Sequence, residues 1–246
     1  MTFLVGIASS VARDHSYSWT KTISYARQLK INVVQLYLPD SKYINNATHK
    51  VLPELENFKE IYFHLPADNN CIQHIHTEMK NHLFIQHERL IDPGLIKNIR
   101  DNEGSLGIEN DNPFGISTHL HRIKEAANQN IDVHAVIDPS RYYHYFHQKL
   151  SAEMITAKII DVLKYCSTHN IPVILHIIDH DPFDAHRSNW TPLFKGVIPW
   201  PEIFEFIIRN RIQLRSVIFE YENFEHTRQS IDNLIDWFSN YQENSF

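Results

Sequence analysis

Short runs rich in Val, Ile, Leu and Phe recur along the chain, and stretches with helical spacing separate them. Such runs are typical of buried strands, and the distance from one to the next is too long for hairpins. The pattern therefore predicts parallel strands joined by helices. The eight predicted strands are Phe3–Ala8, Asn32–Leu38, Ile61–Leu65, His82–His87, Ser105–Glu109, Asp132–Asp138, Pro172–Ile177 and Ser216–Glu220.

Three of the intervening segments carry an apolar stripe with a period close to 3.6 residues, which predicts helices that pack on the sheet. Pro93 and Pro201 each suit the first turn of a further helix. The three stripes are Trp19, Ile23 and Ala26; Ile155, Ile159, Val162, Leu163 and Cys166; and Ile231, Leu234, Ile235 and Phe238.

Eight strand–helix units in 246 residues predict an α/β fold of the (β/α)₈ type, a TIM barrel, with residues 1–246 as one domain. An open doubly wound sheet is the alternative, but it usually carries a glycine-rich first turn that is absent here. The 6 glycines have neither the dinucleotide-binding nor the P-loop spacing. In a (β/α)₈ barrel, active-site residues lie at the carboxyl ends of the strands.

Composition narrows the classes of partner. The formal net charge of −6 disfavours a nucleic-acid partner. Cys71 and Cys166 cannot form a disulfide framework, and no segment resembles a signal peptide or a membrane span. We therefore expect a cytoplasmic protein without a membrane partner, whereas the sequence leaves the oligomeric state open.

Six consecutive predicted strands end in ionisable side chains. A single carboxylate at a strand end is more often a helix cap, and a single His is more often a core residue. The same feature on strand after strand favours one shared site, and a mixed carboxylate and imidazole set suits Mn²⁺, Zn²⁺, Co²⁺ or Mg²⁺. The six residues are His64, His87, Glu109, Asp138, His176 and Glu220.

The order of several short motifs resembles the xylose isomerase-like TIM barrels, also called AP endonuclease family 2, which include sugar epimerases and endonuclease IV. The resemblance spans nearly the whole chain. The motifs are LGIEND around Glu109, VIDPSRYYH from Asp138, LHIIDHDPFDAH from His176, KGVIPW from Lys195 and IFEYE around Glu220.

The resemblance implies that Glu109, Asp138, His176 and Glu220 hold a catalytic divalent metal ion. It also implies a sugar or sugar phosphate as substrate and an isomerase or epimerase reaction through an enediolate. In this hypothesis Glu109 and Glu220 are the two acid–base groups, since an epimerisation needs one proton removed and one returned. Arg141 and His144 are expected to bind the substrate.

Two alternatives remain open. His64, His87, Asp184 and His186 resemble the additional metal ligands of endonuclease IV, which favours a zinc phosphodiesterase acting on abasic-site DNA. Arg141 stands where that enzyme has a histidine ligand, and a guanidinium cannot bind a metal ion. The other alternative is a non-catalytic barrel that binds a small ligand.

Some local signals receive a structural interpretation. The pairs His74 and His76, and His119 and His121, imitate an HxH metal motif but fall in predicted helices, so we expect them on the surface. The long segment from His180 to Trp200 is expected to exclude water from the site with Phe183, Trp190 and Trp200. Asp179 either orients a ligand or caps this segment.

Overall fold

A computed structural model describes residues 3–38, 51, 53–66, 81–111, 116–146, 150–181 and 190–244. Eight parallel strands close into a barrel in chain order, with the last strand hydrogen-bonded to the first. This confirms the predicted (β/α)₈ fold, and every predicted strand agrees with an observed one to within two residues at each end. The barrel strands are β1 (Leu4–Ala8), β2 (Val33–Tyr37), β3 (Glu60–His64), β4 (Leu83–His87), β5 (Ser105–Glu109), β6 (Val133–Ile137), β7 (Val173–Ile177) and β10 (Leu214–Phe219).

Helices cover the outside of the barrel. Both Pro93 and Pro201 lie in the first turn of a helix, as predicted. The stripe on the last helix is only partly correct, because Ile231 and Leu234 are buried whereas Ile235 is 56% exposed. The helices are α1 (Trp19–Gln28), α2 (Pro93–Asp101), α3 (Ile116–Ala127), α4 (Pro139–Phe146), α5 (Ala152–Thr168), α6 (Trp200–Arg209) and α7 (Phe224–Asn244).

None of the helices in the described ranges is both long and apolar enough to cross a bilayer. Their apolar faces form one large cluster with the outward side chains of the strands, for example Ile23 of α1 and Phe204 of α6, both fully buried. Burial of this surface is the main favourable contribution to the fold.

The inside of the barrel is layered because successive side chains of a strand point to opposite faces. The apolar cluster inside the barrel consists of Ala8, Val33, Tyr62, Leu83, Ile85, Val136, Ile174 and Ile218. Two residues further along their strands, the inward positions are polar: His87 follows Ile85, His176 follows Ile174 and Glu220 follows Ile218. We call the polar positions Gln35, His64, His87, Glu109, Asp138, His176 and Glu220 the C-terminal layer.

Gly107 shows how tightly the interior is filled. A Cβ atom at this position would lie 2.9 Å from side-chain carbons of both Ile85 and Val136. Distances this short are not tolerated between carbon atoms, so only glycine fits between these branched side chains. The absence of a side chain on β5 at this level lets its neighbours fill the barrel directly below Glu109.

Candidate active site

Glu109, at the end of β5, is the centre of the C-terminal layer and is fully buried. Arg141 Nε donates to its Oε1 atom at 3.0 Å, and His176 Nδ1 lies 3.3 Å from the same oxygen. The Oε2 atom is 2.9 Å from His64 Nε2 and 3.3 Å from His87 Nδ1. Side chains from β3, β4, β7 and α4 therefore meet on one carboxylate.

Glu220, just beyond β10, is the second carboxylate in contact with His176. Its Oε1 atom lies 3.3 Å from His176 Nδ1, accepts a 2.8 Å hydrogen bond from Gln35 Nε2 and is 3.4 Å from the Tyr37 hydroxyl. Unlike Glu109, Glu220 lines the pocket above the barrel. The two carboxylates thus share one imidazole but differ in access to the pocket.

The donor atoms fit a divalent cation. Ligand atoms of Glu109, His176 and Glu220 lie within 4.8 Å of one another, and His64, His87 and Glu109 form a second such group. The buried Nδ1 atoms of His87 and His176 make no well-formed hydrogen bond with the described residues, although each is 3.3 Å from a carboxylate oxygen. Buried ring nitrogens facing carboxylates are the donors that a borderline metal ion requires.

The pKa values of these histidines follow from the same contacts. Burial lowers the pKa of His87 to about 3, so its ring is neutral near pH 7, as metal binding requires. Burial also disfavours charge on His176, but Glu220 and Glu109 outweigh this effect and raise its pKa to about 9. A proton on the Nδ1 atom of His176 then lies between the carboxylates of Glu109 and Glu220.

The pKa values of the two carboxylates are shifted in opposite directions. Burial opposes ionisation of Glu109, but Arg141, His87 and His176 hold its pKa well below the usual range. For Glu220, burial raises the pKa, and the opposing effect of His176 does not reverse this shift. Ionisation is therefore favoured at Glu109, whereas Glu220 accepts a proton more readily.

Asp138, at the end of β6, is placed differently from the other three predicted metal ligands. Its Oδ1 atom accepts hydrogen bonds from the amide and the hydroxyl of Ser140, at 2.9 and 2.6 Å. Its Oδ2 atom is 2.9 Å from Arg141 Nε. Asp138 belongs to neither group of converging donor atoms among the described residues, and its role as a ligand stays a prediction.

Arg141, on α4, connects three carboxylates. Besides Glu109 and Asp138, it donates through Nη1 to Asp111 at 2.5 Å. Burial disfavours the charged guanidinium, but the surrounding carboxylates outweigh this effect and raise the pKa of Arg141 above its usual value. Arg141 also lines the pocket together with His144, the other predicted substrate-binding residue.

The pocket beside the C-terminal layer has a volume of about 100 Å³. Its wall consists of Ser10, Tyr37, Asp138, Ser140, Arg141, His144, Ile178, His180, Trp190, Glu220 and Glu222. The predicted additional ligands Asp184 and His186 lie outside the described residues, as do His74, His76 and Phe183.

Two short strands outside the barrel lie beside the pocket. β8 (Asp179–His180) pairs antiparallel with β9 (Trp190–Thr191), and the rings of His180 and Trp190 are 4.7 Å apart at the pocket wall. Asp179 accepts hydrogen bonds from the amides of Gly196 and Ile198, at 3.0 and 3.2 Å. Asp179 therefore caps the segment in which these amides lie, which decides between the two interpretations of the sequence.

Two expectations about individual side chains are wrong. Trp200 does not cover the site, because it is fully buried at the start of α6 with its ring against Phe204. His119 lies on a helix but not on the surface: it is fully buried, and its Nε2 atom is 2.8 Å from the carbonyl oxygen of Ile108. His121, in contrast, is exposed as expected.

Sequence reasoning missed Gln35, Tyr37 and Asp111. Gln35 and Tyr37 lie in the apolar run VVQLY. An amide at an inward position of such a run is unusual, and this signal could have identified Gln35. Asp111 lies two residues beyond Glu109, but only the fold shows that it contacts Arg141.

Comparisons with known proteins support the fold. No family model matches the sequence, and no curated protein matches it. The structure is similar to the probable 3-DHS dehydratase AsbF of Bacillus anthracis, with a TM-score of 0.64, 11% identity and coverage of 96% of this chain and 99% of AsbF. It is also similar to a sugar phosphate isomerase/epimerase of Parabacteroides distasonis, with a TM-score of 0.57, 13% identity and coverage of 95% and 96%.

A dihydropteroate synthase of Xanthomonas albilineans has a similar score, with a TM-score of 0.58, 10% identity and coverage of 96% and 92%. The chain therefore has the barrel fold of the isomerases and epimerases that its motifs resemble, and it shares this fold with enzymes of other reactions. Because a barrel supports many chemistries, the function has to be argued from the side chains at its C-terminal end.

Proposed function

We propose that this protein is a divalent-metal-dependent isomerase or epimerase that moves a proton next to the carbonyl group of a sugar or sugar phosphate, through an enediolate. The observation that carries this proposal is the convergence of Glu109, His176 and Glu220, whose ligand atoms lie within 4.8 Å of one another at the mouth of the barrel. Asp138 is the fourth ligand that we propose.

The chemistry requires a means to stabilise negative charge on a carbonyl oxygen. A divalent ion held by Glu109, Asp138, His176 and Glu220 would supply that stabilisation as a Lewis acid. Mn²⁺, Co²⁺, Zn²⁺ and Mg²⁺ all accept a mixed set of carboxylate and imidazole ligands.

The chain's own residues then move the protons. Glu220 lines the pocket and has a raised pKa, so its carboxylate can take a proton from a substrate carbon. Glu109 is the second acid–base group that we propose, and it lies directly behind Arg141, which contacts Glu109 and lines the pocket wall. Arg141 and His144 orient hydroxyl or phosphate groups of the substrate.

Solvent exchange tests this proposal without knowledge of the product. The protein is loaded with Mn²⁺, Co²⁺, Zn²⁺ or Mg²⁺ and incubated in D₂O with aldoses, ketoses and their phosphates. Mass spectrometry and NMR then measure deuterium at the carbon next to the carbonyl group. We expect metal-dependent incorporation that Glu220→Gln abolishes, and a folded, metal-loaded protein that exchanges no substrate proton contradicts the proposal.

The group formed by His64, His87 and Glu109 favours a second candidate, an endonuclease IV-like phosphodiesterase that uses additional zinc ions. Against it, Arg141 forms hydrogen bonds to three carboxylates and cannot serve as a metal ligand. Incubation with abasic-site duplex DNA distinguishes the two functions. Zinc-dependent cleavage that His87→Ala abolishes supports the phosphodiesterase, whereas the isomerase leaves the DNA intact.

A further inference from the structure

Gln35 is a polar side chain buried inside the barrel that the proposed reaction does not use. It lies on β2, is fully buried, and forms hydrogen bonds to residues of two other regions of the chain. Its Nε2 atom donates to Glu220 Oε1 at 2.8 Å, and its Oε1 atom is 2.9 Å from His176 Nε2. One amide thus contacts two of the three converging ligand residues.

The position of Gln35 depends on a small side chain in the neighbouring strand. β1 lies between β2 and β10, and its residue Ala8 is the register partner of Gln35. Ala8 is fully buried on the inside of the barrel, where its methyl group leaves space for a longer side chain to reach across. The amide of Gln35 therefore passes over β1 to both β10 and β7.

The two contacts determine which way the amide faces. An ionised Glu220 carboxylate only accepts hydrogen bonds, so the amino group of Gln35 faces Glu220 and its oxygen faces His176. An amide oxygen accepts, and His176 must therefore carry a hydrogen on Nε2. In the neutral ring the free electron pair is then on Nδ1, which lies 3.3 Å from both Glu109 and Glu220.

We propose that Gln35 is a positioning residue that holds His176 with Nε2 protonated and Nδ1 directed at a metal ion, and that orients the carboxylate of Glu220. This inference rests on the proposed function, since it takes His176 and Glu220 as ligands. Partners of the second ring nitrogen fix the orientation of metal-binding histidines, and their loss typically lowers metal affinity by about 10–100-fold.

The variant Gln35→Met tests the inference, because Met has a similar length but can neither donate nor accept these hydrogen bonds. Gln86→Met is the matched control: Gln86 is also fully buried on a barrel strand, but its amide bonds the carbonyl of Pro66 and the backbone amide of His87. Calorimetry measures Zn²⁺ affinity, and NMR of protein labelled with ¹⁵N in its histidines identifies which ring nitrogen of His176 binds Zn²⁺.

In the native protein with Zn²⁺ we expect Nδ1 of His176 as the ligand and a hydrogen on Nε2. Gln35→Met should lower Zn²⁺ affinity by about 10–100-fold and alter the His176 signals. Gln86→Met should leave the His176 signals nearly unchanged.

Coordination through Nε2 in the native protein overturns the inference, and so does a folded Gln35→Met protein that binds Zn²⁺ like the native one. If Gln35→Met does not fold, the coordination observed in the native protein decides alone. A native protein that binds no divalent ion contradicts the proposed function instead, so the two failures are distinguishable.

Discussion

The two ends of the barrel both contain networks of ionisable side chains, but the two networks differ in how deeply their side chains are buried. At the amino ends of the strands, Arg215 donates to Glu60 at 2.9 Å and is 3.0 Å from His134, which is 3.0 Å from Asp132. The hydroxyl of Tyr62 bonds both Glu60 and Ser216. Two carboxylates here share one arginine, and the side chains of Asp132 and Arg215 are 62% and 34% exposed.

At the carboxyl ends, four carboxylates lie near Arg141, and Arg89 adds a second arginine, with its Nε atom 2.7 Å from Asp111 Oδ2. Glu109, Asp111 and Asp138 all contact Arg141, and Glu220 adds a further negative charge beside His176. Concentrating like charges in a buried site opposes folding, so stability alone does not explain the arrangement. The amino end therefore links side chains of different strands at the partly exposed rim of the barrel, whereas the carboxyl end buries the converging donor atoms on which the proposed metal site rests.

The largest expected difference between the two ends is in turnover. With a substrate that exchanges a proton, Glu220→Gln should lower turnover by about 10²–10⁴-fold, because the amide cannot take up a proton. Glu109→Gln should also lose turnover but retain much of its metal, since the amide keeps one oxygen as a ligand. Glu60→Gln at the amino end is the control and should stay within about twofold of the native rate. Full activity in either of the first two variants excludes the two-carboxylate mechanism.

The second expected difference between the two ends of the barrel is in the stabilisation of the protein by a bound metal ion. At about 100 times the dissociation constant, Mn²⁺ should stabilise the native protein by about 2.7 kcal/mol. For a chain of this size that corresponds to a rise of about 5–10 °C in the melting temperature. His176→Ala should remove this rise, whereas His134→Ala, at the amino end, should retain it. Differential scanning fluorimetry measures both, and an equal rise in the two variants contradicts the assignment of His176.

The pH dependence of stability tests the burial of His119, whose ring on α3 contacts the carbonyl oxygen of Ile108 on β5. Burial lowers its pKa to about 4, below the value of 6.5 expected for the unfolded chain. Between pH 6.5 and 4 the unfolded chain therefore binds more protons, and this contribution to stability is complete above pH 6.5 and lost as the pH falls towards 4. The loss amounts to about 3 kcal/mol.

His119→Gln keeps a side-chain donor for the carbonyl of Ile108 but removes the titration. We expect urea unfolding of this variant to show a smaller decrease in stability over that pH range. His121→Gln, on the exposed face of the same helix, should behave like the native protein. Identical pH profiles for His119→Gln and the native protein would show that folding does not lower the pKa of His119.

The smallest expected difference concerns the stability of the metal-free protein. Glu60→Gln removes a charge-assisted hydrogen bond to a partly exposed Arg215 and should lower the free energy of unfolding by about 1–2 kcal/mol. Glu220→Gln removes a carboxylate whose charged form is disfavoured by burial, so stability should stay the same or increase. Chemical denaturation in the presence of a chelator measures both, and a larger destabilisation by Glu220→Gln would contradict the comparison.

The limits of sequence reasoning are clear at His119 and Trp200. Helical periodicity placed His119 on a helix, but burial depends on how α3 packs against the barrel, which no local pattern encodes. Trp200 was expected at the pocket because it ends a long loop, yet it belongs to the first turn of α6 and packs on Phe204. In both cases the sequence indicated the part of the chain to which the residue belongs but not the residues that it packs against.

The sequence by itself determined the eight strands and the residues at their carboxyl ends, since the period of the side chains along a strand is local and the barrel brings those ends together. Only the tertiary structure decided how these residues pair. It placed Arg141 between Glu109 and Asp138, and it brought Gln35 across β1 to His176 and Glu220. Three of these contacts join residues 32 to 185 positions apart, and the contact between Arg141 and Asp138 depends on the direction of one side chain. Both kinds of contact follow from the closed barrel rather than from any stretch of sequence.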